Sequence, residues 1–299
     1  MLTDNEIRDL AIDALTQKTA RDAQRRIGAS DLSDPCDFCL AAKLLGQSRE
    51  TALGNKTWLG RTIGTSVHGL IESRLSGDHN VANAEEAEVE NHVWFAELGT
   101  YGKVGGSIDL SLPEQIVDWK GSTRKKTALM EDYLQSLGEY RQGLPSRWKQ
   151  QARGNWKLEF SDCAYSLSDN DYRAEMAKQV TKVSGYYGQL TLYMKGSGRR
   201  RASIVFINRD GTGFFDVPSD EGYTDLAKRH DVWVLSFGYN PDYAEALINR
   251  GTNIWGMLES GSPLTDFARH QHCFSCSKEL EDERKVAMPD IEVEFGVAK

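Results

Sequence analysis

Asp109, Asp118 and Lys120 fall within one short stretch, Gly105-Gly-Ser-Ile-Asp-Leu-Ser-Leu-Pro-Glu-Gln-Ile-Val-Asp-Trp-Lys120. Two apolar strands meet there at Pro113-Glu114. A turn centred on that dipeptide sets Asp109 directly opposite Asp118, on one face of a hairpin, with Cβ atoms about 5 Å apart. Like charges so placed repel and are destabilising. A divalent cation between them removes that penalty. Strand alternation brings Lys120 to the same face as Asp118. Two carboxylates and an amine converging at the end of a hairpin suit a hard cation, Mg²⁺ or Mn²⁺. The competing reading is the exposed polar side of an edge hairpin, with Ile108, Leu110 and Val117 supplying its buried side.

Four of the five cysteines form two units of equal spacing, Cys36-Asp-Phe-Cys39 and Cys273-Phe-Ser-Cys276, while Cys163 stands alone. In a reducing compartment, Cys-x-x-Cys pairs are metal ligands or redox dithiols rather than structural disulfides. Together the two pairs offer four soft thiolates, the full ligand set of a closed tetrahedral zinc or of an iron–sulfur cluster. The units lie near opposite ends of the chain, so a shared site ties those ends together. Four unrelated buried cysteines are the bland alternative. Two helical pairs complete the reactive set. His68 and Glu72 share a helix face at i, i+4, as do Gln189 and Tyr193. Taken singly, each pair suits packing as well as chemistry.

These residues must be positioned by elements that the hydrophobic pattern outlines. Residues 4–27 read as a helix, and Cys36 opens a second one running to about Leu45. Thr65 caps a helix over Ser66–Leu75. Strands follow at Glu86–Leu98, Val104–Leu112 and Gln115–Lys120. Residues 121–172 are the least periodic part and read as an insertion with short helices. Asp171–Lys195 is a long helix. Ala202–Asn208 and Thr212–Val217 flank Arg209-Asp210-Gly211 as a hairpin. Asp220–Phe237, Pro241–Asn249 and Ile254–Glu259 read as helices. The order implies an α/β core with a mixed central sheet and helical ends.

In combination and in chain order, Gly64-x-x-x-His68, Gly106-x-x-Asp109, Asp118-x-Lys120 and Gln189-x-x-x-Tyr193 resemble the motifs of RecB-like nucleases of the PD-(D/E)XK superfamily. The framing cysteines narrow the resemblance to the iron–sulfur members: CRISPR-associated exonucleases, their phage relatives and AddB-type nuclease domains. It spans residues 36–276. It implies a restriction-endonuclease-like core with a mixed sheet flanked by helices, its N- and C-terminal segments joined by a cysteine metal site. It implies His68, Asp109, Asp118 and the Trp119 carbonyl as metal ligands and Lys120 as the residue that orients or activates water. Gln189 and Tyr193 would organise DNA and the lysine, with Glu72 a supporting partner. Cys36, Cys39, Cys273 and Cys276 would hold a 4Fe–4S cluster, with zinc as the alternative. The family's usual cluster takes one N-terminal cysteine and three C-terminal ones. This chain offers two and two, with His270 and His272 beside Cys273 as substitutes.

Composition fits an ordinary soluble globular protein. The 299 residues are 39% hydrophobic and 27% charged, enough to bury a core without disulfides. They divide into an N-terminal helical segment (1–60), a nuclease core (61–260, with the 121–172 insertion) and a C-terminal segment (261–299). No apolar run is long enough to cross a membrane. The acidic start lacks signal-peptide features, which implies a cytoplasmic protein. The net charge of −8 excludes histone-like coating of nucleic acid but not a local basic groove. Arg124, Lys125, Lys126, Arg147 and Lys149 interleave with Trp119, Tyr133, Tyr140 and Trp148, a pattern suited to single-stranded DNA. The expected function is metal-dependent DNA exonuclease activity on single strands or DNA ends, in recombination, repair or CRISPR-type adaptation, alone, as a homo-oligomer or with a complex partner. The alternatives are a non-catalytic DNA-binding scaffold of the same fold and a zinc-stapled binding protein. Imidazole at His68 would bias the site toward Mn²⁺ as well as Mg²⁺.

Overall fold

The structure, a computed structural model, describes residues 26–47, 66–71, 73, 87–136, 148–159, 164–208, 232–271, 273 and 276. Its centre is a five-stranded mixed sheet in the order β1-β2-β3-β7-β8. The strands are β1 (Glu88–Leu98), β2 (Gly102–Ser111), β3 (Gln115–Ser122), β7 (Arg201–Asn208) and β8 (Val232–Gly238). All neighbours are antiparallel except β3 and β7, which run parallel from Gln115↔Arg201 to Ser122↔Asn208. A parallel pair requires a crossover. Here the chain returns through α3 (Arg124–Ser136) and the long helix α4 (Asp169–Ser197).

Helix α4 begins where its sequence says it should. The Ser168 side chain accepts from the Asp171 N–H at 3.2 Å, Asp169 and Asp171 occupy the positive end of the helix dipole, and Gly198 closes the helix at φ 72°. Tyr193 and the apolar side chains Val183, Leu190, Leu192 and Met194 pack against the sheet residues Val93, Phe95, Ile108, Ile116, Ile204 and Phe206 in the main core. Helices α1 (Ala29–Ser33), α2 (Asp37–Leu44) and α5 (Pro241–Glu259) complete the same layer. Two glycines allow the close approach. A Cβ on Gly188 of α4 would come within 2.7 Å of the Ser33 Cβ, and one on Gly251 of α5 within 2.5 Å of Leu32.

Several expectations require correction. Residues 232–237 are strand, not helix. Val232, Trp233, Val234 and Phe237 are β-branched or aromatic, and edge pairing with β7 outweighs their helical spacing. Pro241–Asn249 and Ile254–Glu259 are one continuous helix, because Gly251 serves packing rather than termination. The 121–172 region holds the 13-residue α3 and a second, three-stranded sheet of β4 (Lys149–Gln150), β5 (Asn155–Glu159) and β6 (Ala164–Ser168), rather than short helices. Aromatic packing stabilises that unit, with Trp156 stacked on Tyr172 at 3.8 Å. Cys36 caps α2 instead of opening it. Residues 26 and 27 of the expected first helix are not helical, and the rest of it lies outside the described residues, as do Gly64, Glu72, Tyr140, Arg147, Cys163, His272 and the 212–217 strand.

Candidate active site and cysteine cluster

The hairpin register is the expected one, with Leu110 facing Val117 and Ser111 facing Ile116. The ladder then ends. At the next position Asp109 turns its carboxylate onto the neighbouring strand, and its Oδ2 accepts the Trp119 backbone N–H at 2.9 Å. On its other side the β1–β2 register places Asp109 opposite Glu90, and this pair is missing from an otherwise regular run. Glu90 has φ 52°, the one positive φ outside glycine among the described residues. Backbone strain of this kind costs on the order of 1–3 kcal/mol and gathers at functional sites. It reverses the alternation of β2 locally, so that Ile108 packs in the core under α4 while Leu110 packs on the opposite face with Val117 and Val205.

Asp109 contacts His68, from the helical segment 66–71, with Nδ1 at 3.3 Å from Oδ2. Hydrogen bonding to Asp109 raises the His68 pKa above its ordinary value. Burial pushes the Asp109 carboxyl up, but His68 and the Trp119 N–H outweigh it and hold the group below the usual carboxylate range.

Asp118 lies on β3, 2% exposed. Burial raises its pKa, against the pull of Lys120. Lys120 Nζ sits 2.8 Å from Asp118 Oδ2, a close buried ion pair. The other Asp118 oxygen takes a long 3.5 Å contact from Gln189 Nε2. Burial alone would discharge Lys120, yet the adjacent Asp118 carboxylate raises its pKa above the ordinary lysine value.

Helix α4 supplies the roof. Gln189 also hydrogen-bonds Tyr193, whose phenol burial pushes up to about 12. Tyr193 passes so close over β2 that a Cβ on Gly106 would lie 2.8 Å from its hydroxyl. This gives the Gly106-x-x-Asp109 spacing a physical reason. Tyr186, which the sequence reading does not single out, places its ring 5.2 Å from Lys120 Nζ. Its signal was present: 186, 189 and 193 follow the i, i+3, i+7 spacing of one helix face.

His68, Asp109, Asp118, Lys120, Gln189 and Tyr193 therefore converge, and Tyr186 joins them. Trp119 turns its ring to the opposite sheet face, beside Leu110 and Val117. The expected basic and aromatic DNA path is only partly present. Arg124 is 5% exposed, at the start of α3, and Trp148 is 4% exposed. Trp148 packs with Leu129, Leu158 and Tyr172 in a satellite core, so ring burial outweighs base stacking there. Lys125 and Lys126 are half-buried and Lys149 is exposed.

The donor set fits a divalent cation. Asp118 is buried and paired with Lys120, the Asp109 carboxylate lies near enough to raise its pKa, and His68 contributes a nitrogen. Carboxylates are ligands that both Mg²⁺ and Mn²⁺ sites use, and the imidazole leans the set toward Mn²⁺.

The cysteines form a second centre. Cys36, Cys39, Cys273 and Cys276 bring their sulfurs within 4.8 Å of one another, and theirs is the one such metal-ligand group among the described residues. Backbone contacts hold the two chain ends together. The Phe38 N–H donates to the Ala268 carbonyl at 3.1 Å, and the Arg269 guanidinium lies 4.4 Å from the centre of the Phe38 ring.

No protein-family model matches the sequence, and no curated protein matches it either. Among solved structures the chain is similar to an alkaline exonuclease (LHK-Exo) from Laribacter hongkongensis, with TM-score 0.35 and 10% identity, covering 88% of this chain and 94% of that one. It is also similar to a phage-related exonuclease from Haemophilus somnus 129PT, with TM-score 0.37 and 13% identity, covering 79% of this chain and 95% of the other. Likeness at this level carries no argument about chemistry, which rests on the side chains above.

Proposed function

We propose that this chain is a divalent-metal-dependent deoxyribonuclease of the PD-(D/E)XK type, an exonuclease acting on DNA ends or single strands in the cytoplasm. The reading is supported above all by the buried Asp118, ion-paired with Lys120 two residues on and set beside Asp109, whose own carboxylate contacts His68. Two carboxylates buried side by side are costly unless a cation offsets their repulsion. Asp109, Asp118, His68 and the Trp119 carbonyl would hold Mg²⁺ or Mn²⁺. When bound, the cation supplies a lowered water pKa and charge stabilisation for a phosphoryl group.

The chain's own residues do the rest. Lys120, kept charged by Asp118, orients the attacking water and meets charge developing on the phosphate. Gln189 holds Asp118 from above. Tyr193 fixes Gln189, and Gly106 makes room for Tyr193. The half-buried Lys125 and Lys126, at the start of α3, and the exposed Lys149 would contact the phosphates of a strand leaving the site. The three-part division of the chain, a role in recombination, repair or adaptation, and action within a larger assembly belong to the same proposal. Among the described residues no helix is long and apolar enough to cross a membrane.

The experiment is hydrolysis of single- and double-stranded DNA labelled at each end in turn, with Mn²⁺, Mg²⁺ or chelator. Metal-dependent release of nucleotides from one end is expected. No release with either metal, or release that survives chelation, would overturn the reading.

A further inference from the structure

Four thiolates can enclose one ion or a cluster, and the two place the sulfurs at different separations. In a mononuclear zinc site, Zn–S bonds of about 2.3 Å arranged tetrahedrally set the sulfurs about 3.8 Å apart. A 4Fe–4S cluster interposes a cube of irons and sulfides, each cysteine bonding a separate corner, so its sulfurs stand much farther apart. Here Cys36 Sγ lies 3.7 Å from Cys276 Sγ, and Cys39 Sγ lies 3.5 Å from Cys273 Sγ and 3.3 Å from Cys276 Sγ. All four fall within 4.8 Å. That enclosure has room for one ion at its centre and none for a cube of eight atoms.

Disulfides do not explain the arrangement. A bond of about 2.05 Å joins sulfurs in exclusive pairs, whereas Cys39 is nearly equidistant from two partners, and none of the four cysteines is disulfide-bonded. Three of the four sulfur-bearing residues are closed off from solvent. Cys36, Cys273 and Cys276 are buried in the main core. The Cys36 N–H is held by Asp34 Oδ1 at 2.8 Å, the Cys273 N–H by the His270 carbonyl at 2.9 Å and the Cys276 N–H by the Cys273 carbonyl at 3.2 Å. The first unit is fixed at the start of α2, with Cys36 as its N-cap. The Phe38–Ala268 hydrogen bond, beside the site, opposes any widening that would part Cys36 and Cys39 from Cys273 and Cys276.

We infer that Cys36, Cys39, Cys273 and Cys276 bind a single structural zinc ion, not the iron–sulfur cluster that the sequence resemblance implies. A closed S₄ set with no open position suits a structural rather than a catalytic zinc. The inference is independent of the nuclease reading, since it concerns a separate centre.

The test is the metal content of the full chain, purified anaerobically from cells supplied with iron, cysteine and zinc, measured together with acid-labile sulfide and the visible spectrum. One zinc per chain, no sulfide and a colourless solution are expected. The Asp118→Asn variant should carry the same zinc, and cobalt exchanged into the wild type should give intense thiolate charge-transfer bands. A brown protein with iron and labile sulfide would overturn the inference. So would one iron without sulfide, or a metal-free protein whose four cysteines resist thiol reagents. The decisive readings use the wild-type chain, so a cysteine variant that fails to fold leaves the test intact.

Discussion

Lys120 is held by two contacts that favour its charged form, the Asp118 carboxylate at 2.8 Å and the Tyr186 ring at 5.2 Å. Cation–π attraction is worth roughly 0.5–2 kcal/mol. Tyr186→Phe keeps the ring and should leave cleavage within about twofold of wild type, whereas Tyr186→Leu should lower kcat by about three- to thirtyfold with the melting temperature little changed. Steady-state kinetics on labelled DNA checks this, and equal loss in both variants would move the effect to the hydroxyl. The carboxylate pair and Lys120 were legible in the sequence because a two-residue turn between apolar strands fixes register, and register fixes which side chains meet. Tyr186 was not, because a tyrosine on a long helix reads as packing until the helix's orientation over the sheet is known. The burial of Arg124 and Trp148 was hidden for the same reason. A basic or aromatic residue type states what a side chain can do and not which way it faces.

At the scale of elements, the site depends on how closely α4 crosses β2. Gly106→Ala inserts a methyl 2.8 Å from the Tyr193 hydroxyl and 3.0 Å from its ring. The ring packs edge-on against Phe95 at 6.2 Å and has little room to retreat. Overpacking of this kind costs about 1–3 kcal/mol. The variant should melt several degrees lower and lose activity through the displaced Tyr193–Gln189 pair. Adding Tyr193→Leu should restore the melting temperature but not the activity. If Gly106→Ala alone melts and cleaves like wild type, the close crossing is not real. The strands β1, β2 and β3 and the helix α4 were legible within a few residues, because alternation and a 3.6-residue stripe run long enough there to be distinct. The strand β8 was misread as helix because a short run rich in valine and aromatics satisfies both periods. The distortion at Glu90 and Asp109 left no trace in the pattern, since no residue preference marks glutamate for φ 52°.

For the whole molecule, the cysteine centre joins residues 240 positions apart. Closing so long a loop removes on the order of 5 kcal/mol of chain entropy from the unfolded state, and metal binding adds to folding stability directly. Arg250 of α5 reinforces the same junction, donating to Asp37 Oδ1 at 2.7 Å and to the Leu32 carbonyl at 3.0 Å. Cys276→Ser should therefore lower the melting temperature by more than 10 °C, and Arg250→Met by a few degrees, about 1–3 kcal/mol. Scanning calorimetry checks both, and a Cys276→Ser protein as stable as wild type would show that the junction holds without metal. The clamp secures α2 against α5, α1 packs on α4, and α4 carries Gln189, Tyr186 and Tyr193 over the carboxylates. The central claim concerns what those carboxylates do. Its most direct measurement is Mn²⁺-dependent release of nucleotides from end-labelled DNA by the wild type and by Asp118→Asn, a change that preserves shape and removes the charge. The account predicts steady release by the wild type and a loss of at least about a hundredfold in the variant, with circular dichroism and zinc content unchanged. A folded Asp118→Asn protein that cleaves as fast as the wild type would contradict it.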